Sequence, residues 1–308
     1  MSERPLVAAV FPGQGSQKPG MGRALYDTDE TFRATFDRIS AADGRDLRAL
    51  VFESSDDELR RTENAQSALY ACGVSAFRAW SARGHTADVF AGHSIGEYAA
   101  LASSGTLSDE DGARLVRARG ELMATAGASE PGMMAAVLGL DTEAVAKLLG
   151  SVSGTVVVAN DNCPGQVVIS GTTAATSEAA PRLTEAGAKR VLPLNVSGAF
   201  HSPLMINAGR ALRASLDAVS YRTGVPVISN VLADEARGEP WPALLERQLA
   251  SPVRWTESVR KMVAMGATEF IEFGAGEVLG GLIRRTDKGV ATRKIAEPED
   301  LDELDHLD

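Results

Sequence analysis

The pentapeptide Gly92-His93-Ser94-Ile95-Gly96 constrains this chain more than any other segment. A Gly-x-Ser-x-Gly pattern says little alone, but here a strand candidate at 87–91 precedes it and a helix-like run at 97–104 follows. A strand that becomes a helix within so few residues must turn sharply, which pushes the serine side chain out at a sheet edge. Gly92 and Gly96 lack Cβ atoms, so strand and helix can approach closely. The helix start beneath Ser94 offers unpaired N–H groups and a positive dipole end, suited to a developing oxyanion. Ser94 is the candidate nucleophile.

The rest of the chain reads as strands and helices around this turn. Residues 6–11 form a short buried strand that stops at Pro12-Gly13, and helical patterns follow to about residue 83, including 67–80. Residues 109–126 read as a helix with Ser108 as its N-cap and three acids in its first turn. Residues 132–195 have their own pattern: strands at 133–138, 155–159, 166–170 and 189–194, and helices at 141–149 and 173–185. That βαββαβ order is the split arrangement of a ferredoxin-like unit. Loop-like segments flank it, 127–132 before and Ser197-Gly198 after. The expected fold is α/β. An α/β-hydrolase-like large domain with a parallel sheet comprises 1–128 and 199–308, and a ferredoxin-like small domain, 129–198, is inserted into it.

Composition excludes several classes. The chain has 308 residues, 44% hydrophobic and 23% charged, enough to bury a substantial core. The formal net charge is -10, and the tail 297–308 holds seven acids with no Lys or Arg. An acidic chain without a basic stripe is not expected to bind nucleic acid. The tail reads as a frayed, solvated end. The N-terminal apolar run is too short for a secretion signal, and no apolar stretch approaches the roughly 20 residues of a membrane helix. Cys72 and Cys163 stand far apart, with no metal-type spacing. A reducing, cytoplasmic setting without structural disulfides or metal is expected.

A serine hydroxyl needs a general base. The four histidines are His85, His93, His201 and His306. His306 lies in the acidic tail and His85 in a loop ahead of the strand. His93 adjoins Ser94, where successive side chains diverge. His201, in the loop Gly198-Ala-Phe-His-Ser-Pro-Leu-Met205, remains as the candidate base. No Asp or Glu advertises itself as a third member, and a backbone carbonyl could orient the imidazole instead. Arg114, Arg117 and Arg119 share one helix, and the residues alone do not choose among them.

Several motifs occur in order: Phe11-Pro-Gly-Gln-Gly-Ser-Gln17, Gly92-His-Ser-Ile-Gly-Glu-Tyr98, Arg119-Gly120, Ala199-Phe-His-Ser202 and Gly274-Ala-Gly-Glu-Val-Leu-Gly-Gly-Leu-Ile-Arg285. With them the chain, from about residue 6 to 286, resembles malonyl-CoA:acyl carrier protein transacylases and the acyltransferase domains of polyketide synthases. The resemblance implies a ping-pong reaction in fatty acid or polyketide biosynthesis. Ser94 takes an acyl group from a coenzyme A thioester with His201 as base, and the phosphopantetheine thiol of an acyl carrier protein then accepts it. It implies that the Gln14 and Ile95 N–H groups form the oxyanion hole, and that the Gln248 carbonyl orients His201. It also implies that Arg119 grips the carboxylate of a malonyl group, as the planar guanidinium fork suits. His93 and Phe200 would contact the substrate, Phe200 leaving little room for an α-methyl branch. No bound cofactor or metal, no membrane and a monomeric state are implied.

The chain departs from the family pattern at Ile95, usually Leu, at Ala275 in Gly274-Ala275-Gly276, at Glu277, usually Lys, and at Cys163. Arg284, Arg285 and Lys288, and separately Lys189-Arg190, are candidate patches for an acidic carrier protein. The same elbow and histidine could also move another acyl group between carrier proteins or hydrolyse acyl carrier proteins. Arg119 weighs against hydrolysis, because a carboxylate clamp serves only a dicarboxylic acyl group.

Overall fold

The computed structural model describes residues 5–305, and its strands run in the order β1 (Leu6–Phe11), β2 (Val89–Gly92), β3 (Gly132–Leu138), β4 (Val156–Cys163), β5 (Gln166–Thr172), β6 (Arg190–Pro193), β7 (Val227–Ile228), β8 (Ala267–Phe273) and β9 (Ala291–Ile295). Five of them form a parallel sheet ordered β7-β2-β1-β8-β9. The central β1, Leu-Val-Ala-Ala-Val-Phe, is apolar throughout because parallel strands are covered on both faces. Val10 faces Trp255, Val259 and Phe270 on one side, while Ala9 and Phe11 face the larger core with Phe77 and Phe273 on the other. The helix Thr62–Ala82 carries much of that larger core and is buried over most of its length.

The β1–β2 register pairs Phe11 with Gly92, so the Pro12-Gly13-Gln14 loop and the turn at Ser94 leave the same carboxyl edge of the sheet. The helix Gly96–Ser103 begins two residues after Ser94. A Cβ on Gly92 would lie 1.9 Å from the Gly96 carbonyl carbon, and one on Gly96 2.1 Å from the Phe11 carbonyl oxygen. The chain turns by placing Ser94 in the left-handed region, at φ 53°.

The other four strands form an antiparallel sheet ordered β4-β5-β3-β6, with helices Thr142–Leu149 and Thr173–Glu185 packed on it around Val145, Val167, Ile169 and Leu183. This is the ferredoxin-like order, and the fold is the α/β-hydrolase-like domain with its small insert. The strand β4 runs on to Cys163, past the 155–159 expected, because its far half meets the segment around Val253. Val253 donates to the Ala159 carbonyl at 2.9 Å, and Asp161 donates back to Val253 at 3.0 Å. The segment 127–132, expected to be a loop, is instead helical through Ser129. Gly127 keeps the helix there because Ser197 and Gly198 cross directly over it: a Cβ on Gly127 would lie 2.3 Å from the Ser197 carbonyl oxygen.

The tail corrects a second expectation. Residues 298–305 form a helix whose Leu301 is buried in the large core and whose Leu304 is nearly so. Apolar residues three apart give the acidic segment one sticky face. Arg83 pairs with Asp302 at 2.9 Å, and Asp300 caps the helix start by accepting from the Ala296 and Glu297 N–H groups at 2.8 Å. His306 lies outside the described residues.

Gly96→Ala therefore lowers stability by on the order of 1–3 kcal/mol or more, through overpacking between two backbones. Gly281→Ala, on a helix surface where no atom lies within 4 Å, is neutral or mildly stabilising. Denaturant midpoints of the two variants check this, and equal midpoints would remove the close approach as the reason for the glycines.

Candidate active site

The turn brings Ser94 against His201. Ser94 Oγ lies 2.7 Å from His201 Nε2, and both residues are buried. His201 also sits in the left-handed region, at φ 56°, in the turn between β6 and the helix Ile206–Asp217. On its far side, His201 Nδ1 lies 2.9 Å from the Gln248 carbonyl and 3.2 Å from that of Ser251. Both are acceptors only, so Nδ1 carries the proton and Nε2 presents a lone pair to the Ser94 hydroxyl. No carboxylate stands in the third position among the described residues. Burial first, and then the Arg119 charge, push the imidazole down to about 3.

The three arginines of the helix Asp109–Ser129 part company. Arg114 pairs with Asp111 at 2.7 Å and Arg117 with Glu121 at 2.9 Å, both on the outside. Arg119 is completely buried. Its Nη2 donates to Ser94 Oγ at 3.0 Å and to Gln248 Oε1 at 2.9 Å, and its Nη1 donates to Gln66 Oε1 at 2.7 Å. Its Nε has no hydrogen-bond partner, and its guanidinium lies 5.6 Å from the Tyr98 ring centre. Among the described residues no carboxylate pairs with it directly.

The remaining candidates fall around the same cleft. Gln14, His93, Phe200, Met123 and Met134 line it together with Ser94 and His201. His93 Nε2 lies 2.8 Å from Asn162 Oδ1, with its ring tilted on Trp255. Gln14 Nε2 donates to Thr62 Oγ1 at 3.2 Å. Ile95 precedes the helix Gly96–Ser103 at its N-terminal end. The exposed Arg284, Arg285 and Lys288, and Lys189 with Arg190, lie outside the cleft lining. A larger cavity lies by the amino ends of β1 and β8, among Val7, Trp80, His85, Thr86, Glu269 and Arg293, away from Ser94 and His201.

Three contributors carried no assignment in the sequence: Gln66, Glu97 and Asn230. Asn230 follows the two-residue strand β7, too short to leave a pattern, and its Oδ1 accepts the Ser94 N–H at 2.8 Å. Glu97 did leave a signal, an acid heading the otherwise apolar helix Gly96–Ser103, and it is buried.

A parallel α/β sheet with a buried serine–histidine pair at its carboxyl edge defines an acyl-handling enzyme class, and the comparisons narrow it. The acyl transferase domain family matches residues 9–297. The chain belongs to the acyl transferase family. It is 43% identical to the malonyl CoA-acyl carrier protein transacylase of Bacillus subtilis over 302 residues, covering 96% of this chain and 95% of that protein. The crystal structure of the malonyl-CoA:acyl carrier protein transacylase from Xanthomonas oryzae superposes with a TM-score of 0.94 at 41% identity, covering 98% of both chains. A malonyl-transacylase solved in complex with a type II PKS acyl-carrier protein superposes equally well, with a TM-score of 0.94 at 35% identity over 98% of this chain and all of that one.

NMR of histidine side chains is expected to find His201 neutral and protonated at Nδ1 at pH 5, below the usual histidine midpoint of about 6.5. Because its folded value is lowered, the neutral form persists as the pH falls. A midpoint near 6.5 for His201 would exclude this geometry.

Proposed function

We propose that this acyltransferase moves a malonyl group from coenzyme A to the phosphopantetheine thiol of an acyl carrier protein through a Ser94 ester. His201 Nε2 takes the Ser94 proton as Oγ attacks the thioester carbonyl. The tetrahedral oxyanion collapses, the C–S bond breaks, and the departing thiolate receives that proton. The carrier thiol then gives its proton to His201 and attacks the ester, which returns the hydroxyl to Ser94. The backbone N–H groups of Gln14 and Ile95 hold the oxyanion, the second backed by a helix start. The Gln248 carbonyl steadies the imidazole in its productive tautomer.

What supports the malonyl reading is Arg119, a fully buried guanidinium beside the nucleophile with no acid in direct contact. A buried charge with no counter-ion in direct contact is costly, and an acyl group ending in a carboxylate supplies one. A bidentate grip on that carboxylate also places the thioester carbon over Ser94. Phe200 and His93 bound the acyl pocket. The hydrolase alternative lacks a reason for this arginine.

The same reading assigns 1–128 and 199–308 to a catalytic unit and 129–198 to an inserted cover. It assigns the cytoplasm as location, a monomer, no bound cofactor, metal, nucleic acid or membrane, and exposed Arg284, Arg285, Lys288, Lys189 and Arg190 as basic surface for the carrier.

Intact-mass measurement after mixing with malonyl-CoA is expected to find a malonyl adduct that disappears in Ser94→Ala. Arg119→Ala lowers the malonyl-to-acetyl loading ratio about 10- to 100-fold, the worth of a hydrogen-bonded charge. An unchanged ratio would sink the clamp. Phe200→Ser raises methylmalonyl relative to malonyl loading by roughly 10-fold, as a single-methyl pocket effect allows. The competition of the two thioesters in one tube measures it, and no change would remove Phe200 from the pocket wall.

A further inference from the structure

The Gln248 side chain joins groups that the reaction above leaves unconnected. Its Oε1 accepts from Arg119 Nη2 at 2.9 Å, and its Nε2 donates to the Ser94 carbonyl at 2.9 Å and to Glu97 Oε2. Glu97 Oε1 in turn accepts the Asn230 N–H at 2.9 Å. Asn230 closes the chain on the elbow, taking the Ser94 N–H at 2.8 Å and donating from Nδ2 to the Gly92 carbonyl at 2.6 Å.

Each neighbour in this chain has a single hydrogen-bonding sense. Arg119 can only donate, the Ser94 carbonyl and an ionised Glu97 can only accept, and the Asn230 N–H can only donate. Together they permit one orientation of the Gln248 amide, with its oxygen toward Arg119. The amide is thus a neutral spacer between the buried Arg119 guanidinium and the buried Glu97 carboxyl. We infer that Glu97 is a positioning residue for carboxylated acyl groups: through Gln248 it aims Arg119 at Ser94 and so contributes to selection of a dicarboxylic cargo. The inference rests on the reading of Arg119 as the carboxylate clamp.

Burial, the largest influence, raises the Glu97 carboxyl to about 7, opposed by hydrogen bonds from Asn230, Gln248 and Ser229 and by the charge of Arg119. The charged or titratable groups facing it are Arg119 across the gap and Tyr98 on its own helix. Glu97→Gln makes the logic concrete. If the new amide oxygen takes the Asn230 N–H, its NH₂ confronts the Gln248 NH₂. Gln248 must then flip, and it loses its bond with Arg119. The opposite orientation sets the new NH₂ against the Asn230 N–H instead.

The test is competitive loading of Ser94 from malonyl-CoA and acetyl-CoA, read by intact mass, in the wild type, Glu97→Gln, Glu97→Asp and Gln248→Met. Gln248→Met keeps the backbone carbonyl that faces His201. The expected result is a malonyl-to-acetyl ratio lowered at least about 10-fold in Glu97→Gln and Gln248→Met, in the direction of Arg119→Ala, and partly restored in Glu97→Asp. Equal loss of both thioesters, or an unchanged ratio, would overturn the inference. If Glu97→Gln does not fold, Gln248→Met carries the same expectation. A wild type that does not prefer malonyl would instead overturn the reading of the site.

Discussion

The site depends on how closely one helix approaches two strands. The Gly96–Ser103 helix starts so near β1 and β2 that a single Cβ at Gly92 or Gly96 would overlap backbone atoms. That approach forces Ser94 into a backbone region costly for a side-chain-bearing residue, on the order of 1–3 kcal/mol. Such a conformation persists only when its surroundings over-determine it. Here Asn230 holds the Ser94 N–H and Gln248 holds its carbonyl, so both sides of the strained residue are tied to other elements. His201 is held in the same way, at φ 56°, with its N–H bonded to the Leu249 carbonyl at 3.0 Å. The 2.7 Å contact between the two side chains thus joins two rigid turns.

Electrostatics and geometry are coupled at this contact. Arg119 reaches Ser94 Oγ from one side and helps keep His201 neutral from the other. A neutral imidazole with its lone pair toward the hydroxyl is the form a base needs. On the proposed reading, an anion seated on Arg119 would cancel part of the field that lowers His201, so a carboxylated cargo would raise the basicity of the residue that acts on it. Burial, the larger cause, remains.

Much of this arrangement was legible in the sequence, for identifiable reasons. The elbow, the first strand and the βαββαβ pattern rest on short-range spacing and apolar periodicity, which a single chain displays. His201 emerged because few histidines compete for the role. Choosing Arg119 over Arg114 and Arg117 needed the family resemblance, since all three share a helix and only burial separates them. The acidic tail was misread because charge dominated its composition, while Leu301 and Leu304, the residues that dock it, are two apolar positions among acids. The helix to Ser129 was missed because Gly127 and Gly132 look like loop residues, whereas Gly127 serves a crossing of chains distant in sequence. Asn230 and Gln66 act through tertiary contacts alone.

The insert explains why the chemistry can be buried and yet reached. The parallel sheet and its loops carry Ser94 and His201 on short turns, and Arg119 projects from the buried face of the helix Asp109–Ser129. The antiparallel unit contributes Met134, Asn160 and Leu194 to the opposite wall, and Asn162 fixes the neighbouring His93 ring. It is anchored by strand-like pairing of β4 with the Val253 segment and by the tight crossing at Gly127 and Gly198. This part of the wall is separate in sequence from Ser94 and His201 but joined to their unit by backbone hydrogen bonds. A change of wall residue can alter which acyl group fits without moving Ser94, His201 or Arg119. On the proposed reading, charge selection falls to the buried arginine and its neighbours, and shape selection to the wall.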